Sequence, residues 1–248
     1  EAVRDAAGIL DLPGFSRFVI KGAGAAEWLA RQITGKVPNV GRLGLAYFAD
    51  DAGRIVTEMS VARLGEDELL LITAATAQVH DRDWLANHLD AGLTLTEATA
   101  DWSTQILTGP KSREILAAVS DADLTKGWLT FQTAHIAGAE VFLMRVSFAG
   151  ELGWEIHSKV GDTAKVWDAV MAAGAPMGLK PFGMFALNSL RVEKGYRAWK
   201  GDLSTDYTVL QGGLERFVDW AKPAFRGKAA LAAEKQAGDA KRFCTLVV

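Results

Sequence analysis

Cysteine is almost absent: Cys244 is the only one in 248 residues. One thiol cannot close an internal disulfide or build a cysteine-based zinc site, and it suits a reducing, cytoplasmic compartment. Histidine is nearly as scarce. His80, His88, His135 and His157 show neither H-x-x-x-H nor H-x-H spacing, which argues against a protein metal site. There is no basic run and the net charge is −3, so a nucleic-acid partner held by phosphate neutralisation is not expected. No stretch of 18 apolar residues exists to span a membrane. The first residues, EAVRDAAGILDL, lack the basic-then-apolar order of a secretory signal. Neither a Walker loop nor a G-x-S-x-G elbow occurs. Gly22-Ala23-Gly24 is only half of a dinucleotide fingerprint, without the third glycine or the ribose-binding acid, and reads as a tight strand-to-helix turn.

What is present is the mix of an ordinary globular protein, 49% apolar and 23% charged. A chain of this length can bury a core without disulfides or metal. Phe18-Val19-Ile20 reads as a strand, followed by a helix with Trp28, Leu29 and Ile33 on one face. Residues 43–49 and 55–64 read as strands joined by the hairpin signal Asp50-Asp51-Ala52-Gly53. A third strand, Leu69 to Thr73, and a helix carrying Val79, Trp84, Leu85 and Leu89 follow. The order then recurs: a strand at Ile106-Leu107, a helix with Ile115, Leu116 and Val119, and a strand over 140–148. Its partner strand is Trp154–His157, and a helix follows with Val166, Trp167 and Val170. Gly22, Leu29, Gly65 and Trp84 match Gly109, Leu116, Gly150 and Trp167. The pattern predicts an α+β fold of two similar β-α-β-β-α modules, over 1–100 and 101–240. Residues 182–198 read as one helix with Phe185, Leu187, Leu190 and Val192 partly buried. The apolar tail over 241–248 reads as a strand that opens a further domain.

The acids carry the chemistry. Glu58 interrupts an apolar strand, between Val56 and Ser60 on its own face, and Glu155 sits between Trp154 and Ile156 in another. An acid so placed lies at a sheet edge or lines a cavity. Taken singly, each also reads as a solvated or ion-paired residue. A carboxylate can accept two parallel N–H bonds from an amidine-like heterocycle edge, which makes Glu155 a candidate pterin or purine reader. Arg191 and Glu193 lie beside the aromatic residues Tyr196 and Trp199.

Four strings taken in order, DDAGRIVTEMSVARL (50–64), RVSFAGELGWEI (145–156), SLRVEKGYRAWKGDLS (189–204) and VLQGGLERFVDWAKPAFRGKAAL (209–231), resemble one family. They are similar to the folate-binding module of the glycine cleavage T-protein, most of all in the version fused to dimethylglycine and sarcosine dehydrogenases. The resemblance covers nearly the whole chain. It implies two modules around a central ligand hole that holds tetrahydrofolate, and a small β-barrel domain after residue 248. It implies that Glu155 reads the pterin ring, that Arg191 lies at the folate, and that Glu58 stands where the family has its catalytic-site Asp. Phe148 replaces the tyrosine of the family's S-Y-x-G-E string. Leu45 matches a family tyrosine, with Tyr47 two residues on along the same face. Phe148, Tyr47 and Trp199 complete the expected folate contacts. The implied function is capture of a one-carbon unit, as formaldehyde or an iminium, in a larger enzyme that demethylates a small N-methyl amine. Any flavin or metal would belong to an upstream domain outside this chain. A free-standing aminomethyltransferase and a structural module with a decayed folate site are the alternatives.

Overall fold

A computed structural model of the chain describes residues 1–238 and 241–246. In chain order the elements begin with α1 (Ala2–Asp5), β1 (Ala7–Asp11), β2 (Phe15–Lys21), α2 (Ala25–Gln32) and β3 (Leu43–Ala49). Next come β4 (Ile55–Gly65), β5 (Glu68–Ala74), α3 (Gln78–Asn87), β6 (Thr94–Glu97) and β7 (Trp102–Thr108). Then follow α4 (Ser112–Val119), β8 (Phe131–Ile136), β9 (Ala139–Met144), β10 (Gly153–Lys159) and α5 (Thr163–Gly174). The last are β11 (Leu179–Pro181), α6 (Met184–Glu193) and α7 (Lys228–Ala237). The fold is α+β with two separate sheets.

The chain forms two compact units, one of Glu1–Phe15 with Ala98–Tyr196, the other of Ser16–Glu97 with Arg197–Val248. They do not divide at residue 100. β1 belongs with the later strands because it pairs antiparallel with β7 and parallel with β11. The segment after Arg197 belongs with the hairpin strands: Ile55 N–H bonds the Tyr207 carbonyl, and Val209 N–H bonds that of Gly53.

In the first unit the sheet order is β11-β1-β7-β10-β9-β8. One face buries Leu107, Leu143, Trp154 and Ile156 against Ile115 and Leu116 of α4 and Val166 and Val170 of α5. On the other face, Leu10 and Ile106 pack with Leu187 and Leu190 of α6. In the second unit the order is β3-β4-β5-β2-β6. Phe18, Ile20, Phe48, Met59 and Leu71 form a core with Trp28 and Leu29 of α2 and Leu85 of α3. A separate cluster joins Tyr47, Ala49 and Ile55 to Leu203, Val209, Leu214, Phe225 and Leu231. Read from β6 and from β11, the two sheets share one order, β6-β2-β5-β4-β3 and β11-β7-β10-β9-β8, with β1 inserted in the second. Each repeat therefore has seven elements, β-α-β-β-β-α-β, rather than the five expected; β6 completes the first, and β8 and β11 belong to the second. Gly22 and Gly109 end the first strand of each repeat with φ of 137° and 123°, a region that favours glycine.

Four expectations need correction. The strand over 140–148 stops at Met144, where Val146 N–H bonds back to the Met144 carbonyl in a three-residue turn. Phe148 therefore lies in the β9–β10 connection. The helix over 182–198 is only Met184–Glu193. Gly195 adopts φ 67°, its N–H bonds the Val192 carbonyl, and Tyr196 N–H bonds that of Arg191, a Schellman termination. Phe185 on this helix is 95% exposed, since the buried positions are Leu187, Leu190 and Arg191. Residues 241–246 form no strand; Phe243 packs under the Arg197 guanidinium at 4.5 Å and its N–H bonds the Gln211 carbonyl. Val247 and Val248, the end of the expected strand, lie outside the described residues.

Candidate functional site

In the second unit, Tyr47 of β3 and Glu58 of β4 are direct cross-strand partners. Antiparallel partners place their side chains on the same face, and the Tyr47 hydroxyl donates a hydrogen bond to the Glu58 carboxylate. Val56 does not share this face as expected. The β3–β4 register shifts between Phe48 and Ala49, and Val56 packs with Phe18 and Met59 in the helix-side core. Such a bulge turns one residue off the alternation. Burial raises the Glu58 carboxyl to about 7 from a usual 4.5, and the hydrogen bond from Tyr47 partly offsets this. Burial first, then the Glu58 charge, pushes the Tyr47 phenol up, so it stays a neutral donor; Arg197 and Arg216 act in the opposite sense. The second Glu58 oxygen, Oε2, is buried without a hydrogen-bond partner among the described residues. Leu45, paired with Ser60 on the same strands, is 36% exposed. Trp199 packs against the cluster that holds Tyr47, its indole Nε1 is buried without a hydrogen-bond partner among the described residues, and the Lys200 ammonium stands 4.9 Å from its ring.

In the first unit, the period-two alternation of β10 sends Trp154 and Ile156 into the helix-side core and Glu155 and His157 to the other face. Glu155 lies between Ile106 of β7 and Met144 of β9, and His157 between Thr104 and Phe142. His157 Nε2 is 3.2 Å from Glu155 Oε2, and its Nδ1 is 2.9 Å from Thr104 Oγ1. All three side chains are buried. Arg191 is also buried, and both its Nε and Nη2 donate to Asn188 Oδ1, at 2.9 and 2.6 Å. Its Nη1 donates to the Tyr196 carbonyl at 2.9 Å, an acceptor that the helix termination turns back over it. Phe148 stacks on Tyr196 at 6.3 Å and packs with Ile106, Leu187 and Leu190. A cavity of about 250 Å³ opens beside Ser147, Gly150, Gly153, Tyr196 and Arg145.

Tyr47 and Glu58 are thus joined directly, and Trp199 shares their cluster. Glu155 gains two partners the sequence reading missed, His157 and through it Thr104. The signal was there: acid and histidine two apart on one strand share a face. Asn188, three residues before Arg191 on the same helix, was also missed. Among the described residues no group of three His, Cys, Asp or Glu side chains could hold a metal ion, and no helix is long and apolar enough to cross a membrane.

The GCVT N-terminal domain model matches residues 1–222. The chain belongs to this family. Dimethylglycine dehydrogenase of Mus musculus, described as mitochondrial, is 33% identical to this GCVT-family chain over 97% of the chain, which spans 28% of that relative. An aminomethyltransferase of Halothermothrix orenii is 31% identical over 98% of the chain and 69% of its own length. The glycine cleavage aminomethyltransferase T of Bartonella henselae superposes with a TM-score of 0.85 at 20% identity, over 95% of this chain and 65% of that one, and shares the fold. The chain thus spans under a third of the length of the dehydrogenase relatives it matches.

Proposed function

We propose that this GCVT-family chain is the tetrahydrofolate-binding module of an enzyme that demethylates a small N-methyl amine. When bound, tetrahydrofolate supplies nucleophilic nitrogens that accept a one-carbon unit from formaldehyde or an iminium. The residues present fit such a ligand. Glu58 Oε2 is a buried acceptor without a donor among the described residues, an arrangement that folded proteins rarely keep without a use. Glu155 offers a carboxylate edge to a pterin's paired N–H donors, and Arg191 is held beside Tyr196 by Asn188. Phe148 and Tyr196 in the first unit, and separately Trp199 in the second, give apolar surface for ring systems. Glu58 accepts a proton from the folate nitrogen, and its carboxyl near 7 suits a base working at neutral pH. Holding two reactants together and excluding water supplies the rest of the rate gain. A flavin or metal that oxidises the amine belongs to another domain.

The observation that carries this reading is the Glu58 carboxylate, desolvated and half-satisfied. The test is enzyme-dependent formation of methylenetetrahydrofolate from formaldehyde and tetrahydrofolate, with the uncatalysed rate subtracted. Wild type accelerates the reaction, and Glu58→Ala loses most of that acceleration. Equal rates for the two proteins make Glu58 a bystander. The aminomethyltransferase relatives support a second reading, one-carbon transfer from an aminomethylated carrier protein. Ammonia release from such a carrier distinguishes it.

A further inference from the structure

We infer that His157 is a positioning residue for Glu155, fixing which carboxylate oxygen is left to meet a ligand. The inference rests on the folate reading only for the identity of that ligand. Thr104 of β7, then His157 and Glu155 of β10, form a buried row on one sheet face. An ionised carboxylate is an acceptor only, so with Glu155 ionised the His157 Nε2 at 3.2 Å carries the proton and donates to Oε2. In the neutral ring the Nδ1 is then the acceptor, and the Thr104 hydroxyl at 2.9 Å donates to it. Phe142, on the neighbouring strand β9, meets the imidazole edge-on at a centroid distance of 6.3 Å and an angle of 63°. Threonine, carboxylate and phenylalanine thereby hold the ring in one orientation and one tautomer.

The consequence concerns recognition. A carboxylate side chain that is free to rotate loses conformational freedom when a heterocycle binds, whereas one already fixed does not. With Oε2 occupied by His157, Oε1 is the oxygen with capacity for the first ligand N–H, and Oε2 retains a second lone-pair direction for another. His157 thus sets the plane of the acceptor pair. The same logic makes a metal-bound histidine depend on the group that holds its second nitrogen.

Two measurements test this on the intact chain. The first needs no folate. Nitrogen-15 NMR of labelled histidine at pH 7.5 identifies the His157 tautomer, and Nε2–H is expected. A proton on Nδ1 overturns the inference. The second is calorimetry of tetrahydrofolate binding to wild type, His157→Phe and His157→Gln. Phenylalanine keeps the packing against Phe142 but has no donor, and glutamine restores an N–H at a similar reach. Loss of the donor is expected to weaken binding about tenfold, from the net worth of a hydrogen bond to a charged group, and glutamine is expected to recover most of it. Thermal unfolding of each variant separates positioning from general damage. Phenylalanine binding as tightly as wild type, or glutamine failing as badly as phenylalanine while both remain folded, overturns the inference. If wild type itself binds no folate, the folate reading fails, and the tautomer decides the positioning claim alone.

Discussion

Replacing Glu58 by glutamine should stabilise the fold at alkaline pH while removing the proposed base. The folded protein holds this carboxyl near 7, against a usual 4.5, chiefly because burial disfavours the charge. Between those two values the folded state binds a proton that the unfolded chain has already released. Stability therefore falls as pH rises from about 4.5 to about 7 and stays lowered above that. A displacement of this size corresponds to about 3 kcal/mol of penalty at pH 8. Glutamine is neutral, nearly isosteric, and still accepts the Tyr47 hydroxyl through its carbonyl. Urea unfolding of wild type and Glu58→Gln at pH 5 and pH 8 measures the difference. The advantage of glutamine should be under about 1 kcal/mol at pH 5 and should grow by about 2 kcal/mol or more at pH 8. A constant difference between the two pH values would refute the claim that Glu58 is a strained, desolvated acid. Such a penalty is tolerated where a site needs the charge.

Two further outcomes follow from the same geometry. Tyr47→Phe removes the hydrogen bond that favours the Glu58 anion, so the acidic limb of the formaldehyde-capture rate, expected near pH 7 in wild type, should move to higher pH; an unmoved limb, read from a pH–rate profile, would show that the phenol does not act on Glu58. Gly109→Ala adds a Cβ 2.7 Å from the Ala6 carbonyl and from Ala7 Cα at a φ of 123°, so thermal unfolding should drop by a cost of about 2 kcal/mol or more, and an unchanged midpoint would contradict the close approach of β7 to β1.

The sequence made the long elements legible because their periodicity is strong. The hairpin of β3 and β4, the strand β10 with its buried acid, and α4 and α5 lie where alternation or helical spacing put them. Short strands were not legible: β6, β8 and β11 hold four, six and three residues, too few for a period to stand out, and β1 is a strand only through partners about 95 and 170 residues away along the chain. The end of α6 depended on one glycine: Gly195 sits inside an apparently continuous helical pattern, and its left-handed φ, rather than any change of composition, stops the helix. The exposure of Phe185 followed from the same misjudged face. At the candidate site the acids stood out as charges inside apolar strands, and the family motifs pointed to Arg191. The partners of these residues did not stand out. Tyr47 touches Glu58 through a register that pairs residues eleven apart, and His157 reads as an ordinary strand residue until its ring is seen between Thr104 and Glu155. The bulge that turns Val56 into the helix-side core also has no marker in the alternation itself.

Folate binding is the central claim, and calorimetric titration of the intact chain with tetrahydrofolate tests it most directly, with NADH as control and Glu155→Gln as the diagnostic variant. Wild type should bind tetrahydrofolate at a single saturable site and should not bind NADH. Glutamine at position 155 keeps the shape but loses the charge behind two hydrogen bonds, so binding should weaken by about tenfold or more, and by more than it does in Glu58→Gln. Absence of tetrahydrofolate binding by wild type, or equal affinity in Glu155→Gln, would contradict the account.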